Sequence, residues 1–503
     1  MVSSVLSGGI RGIESFLVRV EADIAEGMPV FELVGYLGNE VREARERVKT
    51  ALKNSGEQLP VKHLTVNLAP ADIRKSGTGY DMPMAVAILH AMGRISRESI
   101  EDTLFAGELL LSGELSGING ILPIMLKAKK EGIRKCVVPL ENAVEASAVD
   151  GMEAYGVKDL SELLSFLNGE IAIEPQKSID IIEKDDNEAD LRYVNGQKLA
   201  RRGIEIAAAG MHNLLMVGPP GAGKSMIAKC IPGILPALTR EECLEVSSIY
   251  SVAGALNNQR IMSRRPFMAP HHTVTEAGMT GGGPGMRPGC ISMAHRGVLF
   301  LDEMPEFSRN ALETLRQPLE DGCITLTRIR GSLSYPAQIM LVGAMNPCPC
   351  GAYPDLNRCS CTQGMIKRYT DRLSKPLLDR IDICINVERL EYKDMFNLQE
   401  NESSASVRER VRKAQEIQQE RFKENGRVFF NSGMSTADIK KYCSLGKTEE
   451  KYLYEMAEKL SISARTYHKI LKVARTIADL SGLPAIDLKC LTEAVHFNRM
   501  YGA

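Results

Sequence analysis

The chain has 503 residues, room for about three domains with full hydrophobic cores. Its 62 Lys and Arg offset 63 Asp and Glu, which excludes a globally basic nucleic-acid coat and leaves only local patches for such contacts. With 44% hydrophobic and 25% charged residues, no tryptophan and 5% aromatics, it is an ordinary globular composition without base-stacking platforms.

No stretch approaches about 18 continuous apolar residues, the length of a membrane span. Residues 1–10 are apolar and glycine-containing but lack a basic leader and a cleavage site, so a cytosolic protein is expected. Its twelve cysteines are then expected to be reduced or metal-bound.

Residues 1–168 read as an α/β unit. Segments 16–25 and 62–68 are strand-like. Segment 40–54 has helical spacing, with Val41, Ala44, Val48 and Leu52 on one face. Segment 81–92 reads as a more buried helix, 104–115 and 135–139 as strands, and 160–167 as a closing helix. Residues 169–191 read as an acidic linker, because 174–190 carries seven acids and two bases with little periodicity. A charged surface helix is the other reading. Residues 192–394 alternate strands and helices like a doubly wound parallel sheet, with buried strands expected at 213–217, 297–301 and 338–344. Residues 395–503 are helical only, with candidates at 407–423, 449–460, 464–480 and 487–497.

Gly218-Pro219-Pro220-Gly221-Ala222-Gly223-Lys224-Ser225 fits a phosphate-binding loop between a strand and a helix. Its glycines let backbone N–H groups turn toward phosphates. Lys224 supplies a point charge to the β- and γ-phosphates, and the Ser225 hydroxyl a ligand for Mg²⁺. Val298-Leu299-Phe300-Leu301-Asp302-Glu303 is a buried strand ending in two acids. Asp302 is expected to hold the Mg²⁺ shell and Glu303 to polarise the attacking water. Asn346 ends a third buried strand, where an amide can orient that water; a turn Asn before Pro347 is the alternative.

Cys348, Cys350, Cys359 and Cys361 form two C-x-C knuckles joined by eight residues, a set that suits tetrahedral Zn²⁺. Free thiols and disulfides are the alternatives. The knuckle lies between Asn346 and Arg380, where a metal could brace the connecting loop.

A phosphate loop, an acidic strand, a polar-tipped strand and then an all-helical domain is the organisation of AAA+ ATPases. Arg265-Pro-Phe-Met-Ala-Pro-His-His-Thr273, the glycine-rich segment 278–289, Gly297-Val-Leu-Phe-Leu-Asp-Glu303, Asn346-Pro-Cys-Pro-Cys-Gly351 and Arg372-Leu-Ser-Lys-Pro-Leu-Leu-Asp-Arg-Ile-Asp382 resemble the magnesium-chelatase-like group. Within it, nearly the whole chain resembles the YifB/ComM family. The resemblance implies an α/β fold in three parts: a Lon-protease-like (ribosomal S5 domain 2-like) domain at 1–168, a P-loop AAA+ core at 192–394, and a C-terminal helical lid at 395–503. It further implies a ring, expected to be hexameric, that uses ATP and Mg²⁺ to move on DNA, with branch migration in recombination of incoming DNA as the task. Rival readings are a chelatase motor, which would need an integrin-like partner and would lack the cysteine cluster, and a protein-remodelling or assembly ATPase without nucleic acid.

By the same resemblance, Arg380 stands where an arginine finger reaches a neighbour's γ-phosphate, which a guanidinium suits better than lysine does. A surface ion pair with Asp379 or Asp382 is the bland reading. Arg465 resembles the sensor arginine of the lid, with Arg475 competing.

Two insertions would face the pore of a ring. Segment 257–296 carries Arg260, Arg264, Arg265, Arg287 and Arg296 against one acid, Glu276. Segment 324–335 reads as a hairpin with Thr325, Thr327, Arg328 and Arg330 on the strands and Gly331-Ser332 at the turn, though it could be a plain structural hairpin. Arg287, Arg328 and Arg330 are the candidates for phosphate-backbone contact. His271 and His272 are expected to point apart.

The N-terminal likeness rests on Gly107-Glu108, Gly113-Glu114, Gly117, Gly120 and Lys127-Ala-Lys-Lys-Glu-Gly132. The Ser–Lys dyad of Lon-type peptidases falls on Asp81 and Leu122, so a noncatalytic binding or assembly domain is expected.

Overall fold

The computed structural model describes residues 2–178, 189–256, 261–283, 286–328, 331–389, 401–423, 430–460 and 462–498. Residues 179–188 of the expected acidic linker, together with Arg260 and Arg330, lie outside them.

Seven strands form the N-terminal sheet: β1 (Ser3–Arg11), β2 (Glu14–Ala25), β3 (Phe31–Val34), β4 (His63–Ala69), β5 (Thr103–Phe105), β6 (Lys135–Pro139) and β7 (Glu153–Val157), in the order β3-β4-β2-β1-β5-β6-β7. The glycine-containing start of the chain, not read as a strand, pairs antiparallel along its whole length with β2. Its glycines explain the tolerance, since a Cβ at Gly8 would lie 2.3 Å from the Ile124 side chain. The run expected as one strand at 104–115 breaks. Only Thr103–Phe105 joins the sheet, while Glu108–Leu109 pairs with Leu115–Ser116 in a separate small ladder.

Helix α1 (Asn39–Asn54) buries Val41, Ala44, Val48, Ala51 and Leu52, the helical spacing read from the sequence. Helix α2 (Asp81–Ala91) is buried on nearly every side. Helices α3 (Ile121–Lys130) and α4 (Leu140–Ala146) form the seam with the next domain.

The core sheet contains β8 (Leu214–Val217), β9 (Phe267–Met268), β10 (Val298–Leu301), β13 (Met340–Met345) and β14 (Ile383–Asn386); β11 (Cys323–Arg328) and β12 (Gly331–Pro336) form a separate hairpin. The order β9-β10-β13-β8-β14 is parallel throughout. Strands β8, β10 and β13 are buried at every residue, as continuous apolar runs covered on both faces should be. Asn213 staples the starting ends of three strands. Its side chain accepts from Leu341 N at 2.9 Å and donates to Arg380 O at 2.9 Å, and its carbonyl accepts from Ile383 N at 3.1 Å. The sequence reading placed Asn213 inside the strand and missed this role.

Helix α5 (Lys198–Gly210) precedes β8, α6 (Lys224–Ile234) follows it, and α7 (Arg240–Ala253) meets the N-terminal domain. Leu122, Met125, Leu238, Cys243 and Val246 share one apolar cluster across that seam. Polar contacts close it: Glu145 accepts from Leu122 N at 3.0 Å and from the Ser251 hydroxyl, and Arg240 pairs with Asp150. The lid helices α9 (Ser404–Phe422) and α10 (Ala464–Leu480) join the core cluster, and buried His212 ties β8 to the lid through Thr476 at 2.8 Å.

Candidate active site

Strand β8 delivers the phosphate loop at its C-terminal end. Gly218 has no room for a side chain, because a Cβ there would lie 2.2 Å from Val387 O, while Gly221 and Gly223 take left-handed φ of +76° and +89°. Lys224, the first residue of α6, donates to Gly218 O at 2.7 Å, Pro219 O at 2.9 Å and Asn346 Oδ1 at 3.1 Å. Its three protons therefore have three oxygen acceptors, and burial lowers its pKa. The Ser225 hydroxyl donates to Asp302 Oδ2 at 2.6 Å, so the expected Mg²⁺ ligands stand together. Glu303 is exposed and sits at φ +49°, a left-handed conformation that a non-glycine residue holds only at a cost. The structure thus brings Lys224, Ser225, Asp302 and Asn346 into one hydrogen-bonded group, with Glu303 next to Asp302 on its rim.

Arg380 and Arg465 are not in this group. The carbonyl of Arg380 accepts from Asn213, which places it where β8 begins, about 13 Å of strand from the phosphate loop at roughly 3.3 Å per residue. Its guanidinium donates to Pro376 O and to Glu320, not to Asp379 or Asp382. It is only 8% exposed, and its Nε has no partner among the described residues. A buried unpaired donor costs about 1–3 kcal/mol, so this arrangement is incomplete. Burial, then the charges of Arg465 and Arg316, lower its pKa against the pull of Glu313. Arg465 lies 3.7 Å from Glu320 and 4.0 Å from Asp379. Both arginines line a cavity of about 560 Å³ with Arg265, Arg296, Lys469 and Lys472. Arg475, the competing sensor candidate, is buried and held by Asp479, Leu483 O and Pro484 O, so it braces the lid.

The four clustered thiols converge. Cys348 and Cys350 sulfurs lie 3.4 Å apart, Cys359 is 3.7 and 3.6 Å from them, and all four are within 4.8 Å of one another. That spacing matches the edge of a tetrahedron with metal–sulfur bonds near ~2.3 Å, so the donor set fits Zn²⁺. The knuckle leans on the phosphate loop: a Cβ on Gly351 would come 2.4 Å from Pro220 Cδ. A cavity of about 670 Å³ lined by Pro219, Pro220, Cys350 and Tyr353 lies between the two.

The basic insertions hold fewer free arginines than the sequence suggested. Arg265 and Arg296 pair with Glu242, and Arg296 also with Glu245, both acids on α7 outside the insertion. Arg287 is exposed on a short ladder pairing Gly282 with Arg287. In the hairpin, Arg328 pairs with Gly331, so Gly331 and Ser332 are ladder residues, not the turn. Arg330 falls outside the described residues. The His271 and His272 rings do not point apart; they pack with centroids 4.0 Å apart.

At the positions expected for the Lon-type dyad, Asp81 is clamped by Arg47, with Nε and Nη2 at 2.7 and 3.0 Å. Burial raises its pKa to about 6 against the pull of Arg47. Leu122 is fully buried in the seam.

The parallel sheet, phosphate loop and acidic strand define an AAA+ protein of the magnesium-chelatase type. Family models agree: one described as magnesium chelatase, subunit ChlI, matches residues 190–395, a second for subunit ChlI of Mg-chelatase matches 20–142, and the ChlI C-terminal model matches 401–498. Within that class the chain belongs to the YifB/ComM family. It is 41% identical over 502 residues to competence protein ComM of Haemophilus influenzae, covering 99% of this chain and 97% of ComM. It is 40% identical over 498 residues to YifB of Escherichia coli, covering 99% and 97%. A Lon protease of Mycolicibacterium smegmatis is 24% identical over 187 residues, covering 35% of this chain and 23% of the protease. Among the described residues no helix is long and apolar enough to cross a membrane.

Proposed function

We propose that the chain is the subunit of a cytosolic hexameric ring that couples ATP hydrolysis to movement on DNA, with branch migration of recombination junctions as its task. The observation that carries the ring is the separation of the site's parts. Lys224, Ser225, Asp302 and Asn346 stand at one end of the sheet, and Arg380 and Arg465 at the other. A head-to-tail neighbour would bring the second set to the first.

In this reading Lys224 neutralises the β- and γ-phosphates. Ser225 and Asp302 hold Mg²⁺, which supplies further charge neutralisation there. Glu303 takes a proton from the attacking water, Asn346 orients that water, and the neighbour's Arg380 and Arg465 stabilise the charge that develops on the γ-phosphate. Gly218, Gly221, Ala222 and Gly223 present their backbone N–H groups to the phosphates. Cys348, Cys350, Cys359 and Cys361 hold a structural Zn²⁺ that stiffens the wall of the phosphate loop.

The DNA assignment is supported by exposed Arg287 on a glycine-rich loop, by the basic hairpin β11–β12, and by likeness to a protein named for competence. Contacts of this kind read a phosphate backbone without sequence preference and weaken steeply with salt. The test is the ATPase rate with single-stranded, duplex and four-way DNA, beside junction movement by the wild type and by Arg328→Ala/Arg330→Ala. Stimulation by branched DNA, with movement lost in the double variant, is expected. Absence of DNA binding at low salt with a non-hydrolysable nucleotide would leave the assembly-ATPase reading in its place.

A further inference from the structure

We propose that Glu320 is a positioning residue that couples the state of a neighbour's nucleotide to the hairpin β11–β12. The inference rests on the reading of Arg380 and Arg465 as the groups that complete the neighbour's phosphate site.

A single oxygen, Glu320 Oε1, faces both arginines: Arg380 Nη2 in direct contact and Arg465 Nη2 at 3.7 Å. Glu320 belongs to helix α8 (Arg316–Asp321), which runs straight into the hairpin. Gly322 turns the chain at φ +66°, and its carbonyl accepts from Ala337 N at 2.8 Å, closing the hairpin's base. The same helix grips the first strand from the side. Gln317 Nε2 donates to Thr325 Oγ1 at 3.2 Å, and Gln317 Oε1 accepts from Thr325 N at 3.3 Å. Helix and hairpin therefore form one body; Leu319, Ile324 and Leu326 pack it into the core's apolar cluster, and Glu320 adds a charged tie to Arg380 and Arg465.

That tether has a competitor. Arg380 is buried with its Nε unpaired among the described residues, and Arg465, Lys469 and Lys472 line the same cavity with Glu320, Asp321, Asp379 and Asp382. A triphosphate, with its several charges and acceptor oxygens, outweighs the single Glu320 carboxylate as the partner of the two guanidiniums. When the guanidiniums turn to phosphate, Glu320 loses both partners. Its side chain is 51% exposed, so water takes it at little cost. Helix α8 then loses its charged tie to Arg380 and shifts on its apolar packing, and the hairpin shifts with it. The two arrangements of the tether are the two discrete states that coupling between distant sites requires.

The test is hydrogen–deuterium exchange on the full-length protein carrying Glu303→Gln, with and without ATP and Mg²⁺. Exchange across 323–336 should change by at least about fivefold on ATP addition, the low end of measured site-to-site coupling. Adding Glu320→Gln, which keeps size and removes charge, should reduce that change to under about twofold while protection at 218–225 persists; Glu320→Asp should retain part of it. A hairpin that responds fully in Glu320→Gln, or one that never responds in the parent, overturns the proposal. The trans reading fails separately. If Arg380→Ala leaves both hydrolysis and the hairpin response intact, the arginines do not serve a neighbour. If Arg380→Ala stops hydrolysis while the Glu320→Gln hairpin still responds, only the coupling is wrong.

Discussion

Gly351→Ala tests whether the cysteine knuckle supports the phosphate loop. Gly351 sits at φ +77°, where an added Cβ would lie 2.4 Å from Pro220 Cδ and 3.0 Å from its Cγ. Two costs follow: left-handed strain of about 1–2 kcal/mol, and overpacking of about 1–3 kcal/mol. Gly482→Ala separates them, because Gly482 has φ +65° and nothing within 4 Å of a new Cβ, so it carries the strain alone. Pro220 lines the cavity of about 670 Å³ and has room to shift, so the overlap should move the phosphate loop without unfolding the domain. The contact cost then appears in nucleotide affinity, as a loss of roughly 5–150-fold. Titration with a fluorescent ATP analogue and Mg²⁺, beside urea unfolding of both variants, reads the two quantities. A Gly351→Ala protein that binds nucleotide as tightly as Gly482→Ala would refute the brace.

Lys224→Ala should lose nucleotide binding, whereas Glu303→Gln should bind but turn over at least about 100-fold more slowly, as loss of a general base does; equal steady-state rates for Glu303→Gln and wild type would remove that role. Rings mixed from Arg380→Ala and Lys224→Ala subunits should partly recover hydrolysis, and no recovery at any ratio would count against action in trans. Elemental analysis should find about one zinc per chain and less after Cys359→Ser; four freely titratable thiols with no metal would end that assignment. Burial raises the Glu145 pKa above its ordinary 4.5, despite hydrogen bonds from Ser251, Leu122 and Asn142, so the folded state favours the protonated form. Its contribution to stability is therefore greatest below pH 4.5 and falls as pH rises from there toward the folded value; Glu145→Gln should raise Tm at pH 7–8 and make no difference near pH 4, and parallel Tm–pH curves would contradict this.

The nucleotide site was legible because its parts are local in sequence. Each strand is a continuous apolar run with its functional residue at the tip, and the phosphate loop needs its glycines at fixed offsets. Where side chains find distant partners, the sequence was silent. Arg265 and Arg296 counted as free cations because Glu242 and Glu245 lie on a different element. Glu320 gave no signal, since a lone Glu at a helix end is ordinary; only the fold sets it against Arg380. The ends of the 104–115 run were misjudged because glycines at 107 and 113 redirect the chain out of the main sheet. The N-terminal strand was missed because its glycines lower strand propensity, yet long-range pairing with β2 and packing on Ile124 override that preference.

In the N-terminal domain, the positions expected for a peptidase dyad serve packing and the joint with the core. A Ser–Lys dyad needs an open groove and a lysine free to exchange a proton. Here the first expected position is Asp81, 1% exposed and clamped by Arg47, which offers no hydroxyl to attack. The second is Leu122, whose side chain joins Cys243 and Val246 and whose backbone N–H is held by Glu145. A lysine ammonium there would lose its water in an apolar seam, a penalty of several kcal/mol without a buried partner. Leucine gains from the same burial, so this position serves the joint. Leu238, Cys243 and Val246 on the core side share one apolar cluster with Leu122, Met125 and Ile133 of this domain, so each domain covers part of the other's apolar face. Joined to the core through this cluster and the Glu145–Ser251 and Arg240–Asp150 contacts, the domain presents a fixed surface beside α7.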